Sequence, residues 1–169
     1  LSPQLNASYW TYHSQWVWMF NEIDPAFNEM AEAGQSIDPL AMINGFAPRY
    51  FTINGRMGSL AAHEETAPDT VIHAHIGEPA LIRVVNGGLC THSPHIHGNH
   101  VYVLTTNGGV LDTIMWKDTV MMKPTERKDI FLPYAIPPNA VHWPPPQSGQ
   151  KFLEELHGQK MEGKWPMHC

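Results

Sequence analysis

The chain has 169 residues, 43% of them apolar and 15% charged, with a net charge of −6. That is enough for one domain with a sizeable core and some extra chain at its ends. The acidic balance argues against a nucleic-acid partner, which needs a basic patch, and no apolar run reaches the length of a membrane span. With only Cys90 and Cys169, a disulfide framework is excluded, while 15 Pro and 13 Gly favour strands and turns over long helices.

In chain order, residues 9–22 are rich in aromatics (Trp10, Tyr12, Trp16, Trp18, Phe20). Val17 and Met19 fill the alternate positions, which predicts a strand buried on both faces. Residues 23–48 read as a linker with one short helix near 25–33. Residues 50–55 form a short strand that ends in the turn Asn54-Gly55. Further strands are expected at 71–76 and 80–86, separated by Gly77-Glu78-Pro79, and at 99–106, closed by Asn107-Gly108-Gly109. Residues 110–122 hold one or two more and 128–134 another. Short strands at this spacing indicate a sandwich or a barrel. Residues 135–163 break the rhythm. Their proline runs are stiff and extended, and Phe152, Leu153, Leu156 and Met161 recur at roughly helical spacing. They read as an inserted loop with a short helix, after which residues 164–169 resume a strand.

The most informative stretch is His92-Ser93-Pro94-His95-Ile96-His97-Gly98. On a strand, residues two apart share a face and residues an odd number apart oppose each other. His95 and His97 therefore point one way and His92 the other. His168 and Cys169 are adjacent and must also face oppositely. The parity predicts two metal sites on either side of a strand pair, one formed by His92 with Cys169, the other by His95 and His97 with His168. A thiolate with imidazoles suits a blue-copper electron-transfer centre, and an all-imidazole centre suits copper that meets oxygen. The adjacency of Cys169 and His168 would join the two sites by a short covalent route.

These motifs resemble those of the multicopper oxidases, enzymes of the laccase kind. The family carries His-x-x-His-x-His-Gly, here His92 to Gly98, and later His-Cys-His, of which His168-Cys169 match the first two positions after Gly163-Lys164-Trp165. Phe51-Thr52-Ile53-Asn54-Gly55, residues 77–86, Lys117-Asp118-Thr119-Val120 and Pro124-Thr125-Glu126-Arg127 match as well. Glu22-Ile23-Asp24-Pro25 is similar to the end of a preceding domain in such proteins. The resemblance implies an all-β fold, a cupredoxin-like Greek-key β-sandwich with the insert 135–163. It divides the chain into residues 1–48, the end of a preceding cupredoxin domain plus linker, and 49–169, a cupredoxin domain truncated at its C-terminus. His92 and Cys169 would bind type 1 copper, His95 type 2 copper, and His97 and His168 the type 3 pair. His92, Cys169 and His168 would carry the electron. The implied activity is one-electron oxidation of a reductant, coupled to reduction of oxygen to water at a trinuclear cluster, in the periplasm or outside the cell.

The chain departs from the family pattern in stopping before the third residue of His-Cys-His. It also lacks the second type 1 His, an axial Met or Leu, and the His-x-His pairs of another domain. The expectation is therefore a piece that is inactive alone, with the missing ligands supplied by the rest of the polypeptide or by another subunit. The alternatives are a non-enzymatic electron-transfer or copper-handling module, or a copper nitrite reductase-like protein. A cupin would need a Glu soon after His97, and none follows. Beyond the motifs, Cys90 reads as a buried small apolar residue, and His73 and His75 as surface histidines. His100 reads as a packing residue and Met115, Met121 and Met122 as core filling. His142, His157 and Met161 in the insert read as chance neighbours. Asp112 and Asp118 are candidates for contacts behind a ligand imidazole. The insert is expected to cover the type 1 side.

Overall fold

The structure, a computed structural model, describes residues 10–63, 65–75, 78–134 and 167–169. The strands are β1 (Ser14–Ile23), β2 (Tyr50–Ile53), β3 (Ala80–Asn86), β4 (His95–Ile96), β5 (Val101–Thr106), β6 (Gly109–Lys117), β7 (Arg127–Leu132) and β8 (Met167–His168). Three short helices, α1 (Pro25–Glu32), α2 (Pro39–Gly45) and α3 (Ser59–Ala62), lie between β1 and β3. Among the described residues, no helix is long and apolar enough to cross a membrane.

Six strands form one sheet in the order β2-β1-β3-β7-β5-β6, with β1 parallel to β3 and every other pair antiparallel. The two hairpins close as their turn residues dictate. Asn54 and Gly55 both adopt positive φ, 50° and 78°, and Asn107 and Gly108 adopt 52° and 83°. Asn and Gly tolerate these angles, which the two-residue hairpin turn requires. Helices α1 and α2 both begin with Asp-Pro. Asp24 accepts from Ala26 N–H and Asp38 from Leu40 and Ala41 N–H, while Pro25 and Pro39 occupy a first-turn position that needs no donor.

The second layer is the segment 92–96 paired with 118–122. His92 and Met122 exchange both backbone hydrogen bonds, Val120 N–H donates to Pro94, and Ile96 N–H donates to Asp118. Strand β8 joins it through the pairs His95–His168 and Ile96–Met167. The core lies between the layers. Trp18, Phe20, Ile82, Val84, Val103 and Ile130 come from the sheet, and Ile96, Val120 and Met122 from the segment opposite.

Four expectations are corrected. In β1, Trp18 and Phe20 are buried but Val17 and Met19 are exposed, so this strand buries one face only. The expected strand over 71–76 is not seen in its described part, residues 71–75. The Val71 N–H is drawn into a turn with Ala67 O, which removes it from any ladder. Only Met122 of the three methionines fills the core, since Met115 and Met121 are exposed. Cys90 is half-buried rather than buried. Strand β1 pairs along its length with β3 and shares its core. The insert, with its expected helix and the candidates His142, His157 and Met161, lies outside the described residues.

Candidate metal centres

The ladder between 92–96 and 118–122 settles which way each histidine faces. His92, Pro94 and Ile96 are buried, whereas Ser93 and His97 are exposed and His95 is half-buried. Alternation along a strand produces this pattern. His92 thus looks into the sandwich and His95 and His97 look out of it. At β8 the same rule separates His168 from Cys169.

On the outer side, the ring nitrogens of His95, His97 and His168 offer three donor atoms that all lie within 4.8 Å of one another. The ring centroids are 4.9 to 5.4 Å apart. Nε2 of His168 faces Nε2 of His97 at 3.0 Å. His95 is oriented from behind, with Nδ1 lying 3.0 Å from the Asp118 carbonyl and 3.0 Å from Thr119 Oγ1. A carbonyl only accepts, so Nδ1 donates and Nε2 of the neutral ring keeps its lone pair. The contact expected from Asp118 is made by its backbone, with its carboxylate 3.9 Å away. Burial raises the Asp118 pKa, but the Thr119 hydroxyl, its own backbone and the charges of His95 and His100 outweigh that and lower it. Asp112 is exposed on β6.

On the other side, Sγ of the exposed Cys169 lies 3.4 Å from His92 Nδ1 and accepts from Ser93 N–H at 3.1 Å. The His92 ring is 3% exposed. Phe20 stacks on it, with centroids 5.2 Å apart and planes 26° apart, and Phe51 meets it edge-on at 6.3 Å. Its other nitrogen, Nε2, is hydrogen-bonded to Glu22 Oε1. The loop leading into His92 is pinned by Asn86, which is fully buried. Asn86 Nδ2 donates to the carbonyls of Cys90 and Met122, and Oδ1 accepts from Gly88 N–H.

Glu22 and Asn86 were not among the sequence candidates. A signal for Glu22 existed, because Trp18, Phe20 and Glu22 are spaced two apart and so share the buried face of β1. His100 stacks on Trp116 with centroids 5.3 Å apart, as a packing residue does. His75 accompanies Glu78 at the surface, 3.0 Å from its carboxylate. The Cys90 thiol pKa is raised by burial and by the Glu22 charge.

The donor sets fit copper. One pairs a cysteine sulfur with a buried imidazole, and the other gathers three imidazoles with no carboxylate among them.

A family model described as multicopper oxidase matches residues 38–135. No curated protein matches the chain. Among solved structures, the blue copper oxidase from Nitrosomonas europaea superimposes with a TM-score of 0.55 at 24% identity, over 72% of this chain and 34% of that one. The multicopper oxidase mgLAC gives 0.57 at 22% identity, with the same coverage of 72% and 34%. The laccase from Botrytis aclada gives 0.50 at 15% identity, over 73% and 23%. At these identities the likeness shows the cupredoxin-like β-sandwich fold, and the chain spans about a third of the length of the first two structures.

Proposed function

The chain belongs to the multicopper oxidase family, a family of copper oxidoreductases, and we propose that it supplies half of the copper ligands of such an enzyme. His92 and Cys169 hold type 1 copper, His95 holds type 2 copper, and His97 and His168 hold the type 3 pair. Copper, when bound, supplies one-electron chemistry, so that a reductant is oxidised at one centre and oxygen is reduced to water at the other. The observation that carries this reading is the opposed placement of two neighbours. Cys169 meets the buried ring of His92 on one side, and His168 meets His95 and His97 on the other.

The residues contribute in distinct ways. Ser93 N–H holds the Cys169 sulfur. The Asp118 carbonyl and Thr119 turn Nε2 of His95 toward the cluster. Phe20 and Phe51 keep water from the His92 ring. The single peptide link between His168 and Cys169 would join the two centres covalently. The remaining ligands come from the rest of the polypeptide or from another subunit, so residues 1–169 alone are inactive. The copper-carrying unit includes β1, because Phe20 and Glu22 touch His92. The setting is periplasmic or extracellular, where members of this family often work.

Copper analysis and electron paramagnetic resonance on the complete protein test this reading. Type 1, type 2 and type 3 signals together, with oxygen consumption in the presence of a phenolic dye, are the expected result. Type 1 copper alone would mean an electron carrier, which the outer three-histidine cluster argues against.

A further inference from the structure

Glu22 is a buried ionisable group that the copper-ligand assignment leaves without a task. Its side chain is fully buried, at the end of the inward row Trp18, Phe20, Glu22 on β1. Burying a carboxylate is costly unless both oxygens find donors. Here Oε2 accepts from Leu89 N–H at 2.8 Å and Oε1 takes Nε2 of His92. The room for it comes from Gly88, where an added Cβ would fall well inside contact distance of all three carboxyl atoms. Gly88 is also where Asn86 Oδ1 fastens the loop.

We propose that Glu22 is a positioning residue for His92, fixing the ring as the Nε2–H tautomer so that the Nδ1 lone pair faces Cys169. The proposal rests on the reading of His92 and Cys169 as the type 1 copper site. A carboxylate only accepts, so the nitrogen that faces it must donate. The neutral ring then carries its lone pair on the other nitrogen, and that atom is the one 3.4 Å from Cys169 Sγ. Phe20, stacked on the ring face, resists rotation about the remaining torsion. Carboxylates behind a ligand imidazole orient it and raise its basicity. This one reaches His92 from a strand 70 positions earlier in the chain.

Glu22→Gln is the discriminating change, since it keeps size and shape. Leu89 N–H needs the amide oxygen, which leaves the amide NH2 facing His92 Nε2. That nitrogen must then accept, and the ring proton moves to Nδ1, where it blocks the metal. In copper-free full-length protein labelled with 15N, long-range nitrogen–proton correlation reads the His92 tautomer directly. The expected result is Nε2–H in the unaltered protein and Nδ1–H in Glu22→Gln. Titration with Cu(II) against a competing chelator should show type 1 affinity lowered by about 10- to 100-fold, with a weakened blue thiolate band. Nδ1–H in the unaltered protein overturns the proposal, and that measurement needs no variant to fold. So does a Glu22→Gln protein that keeps Nε2–H, or one whose affinity stays within about two-fold of the original. If the tautomers behave as expected but copper-loaded unaltered protein lacks the blue band, the type 1 reading fails while the hold of Glu22 on the ring stands.

Discussion

Asn86→Asp should damage this domain more than Asn86→Ala, although it is the smaller change in shape. Asn86 is fully buried and makes three hydrogen bonds, to Cys90 O at 2.8 Å, to Met122 O at 3.1 Å and from Gly88 N–H at 3.0 Å. Each is worth about 1 kcal/mol net, so Asn86→Ala should cost about 3 kcal/mol. In Asn86→Asp the NH2 group becomes a second acceptor that faces two carbonyl oxygens. Both carbonyls lose their donor and a charge is buried beside them, which raises the cost to about 4 kcal/mol or more. The assay is urea unfolding of the full-length protein followed by Trp fluorescence. With a slope of about 2 kcal/mol per molar urea, the domain's midpoint should fall by about 1.5 M for Ala and about 2 M or more for Asp. The blue band should weaken with it, since Asn86 anchors the loop that delivers His92. A shift below about 0.5 M for either variant, or Asp milder than Ala, would refute the claim that Asn86 pins this loop.

Three further outcomes follow from the same structure. Trp18 is 2% exposed and its Nε1–H finds no acceptor among the described residues; removing that donor in Trp18→Phe offsets part of the lost ring volume. The cost should stay below about 1.5 kcal/mol against about 3–5 kcal/mol for Trp18→Ala, and thermal unfolding that gives equal losses would contradict this. His97→Ala should remove the outer copper signals while leaving the blue band, and Cys169→Ser the reverse; loss of both in either variant would show that the two faces are not separate centres. Burial raises the Glu126 pKa, but Lys123 N–H and the Lys128 ammonium outweigh it, and the carboxyl lies below its ordinary value. A depressed carboxyl stabilises above its unfolded pKa, and that contribution disappears as pH falls through the folded one. The stability gap between the unaltered protein and Glu126→Gln should therefore be full near neutral pH and close in acid; a gap that widens in acid would reverse the sign.

Whatever depends on the chain's own periodicity was legible in the sequence. Two-residue alternation put His92 and His95 on opposite faces and separated His168 from Cys169, because that period belongs to any extended chain. Asn54-Gly55 and Asn107-Gly108 marked both hairpins, because only such residues accept paired positive φ cheaply. The choice of strand neighbours needed the tertiary structure. The aromatic alternation of β1 fitted burial on both faces equally well, and its pairing with β2 and β3 left Val17 and Met19 exposed. Residues 71–75 had a strand-like pattern, but their backbone went into a turn and a loop. Glu22 could be assigned to the buried face by parity, but not to His92, since the contact joins residues 70 apart. Local pattern sets which way a side chain points, whereas what it points at is decided by which distant strands find each other, and only the folded sandwich contains that information.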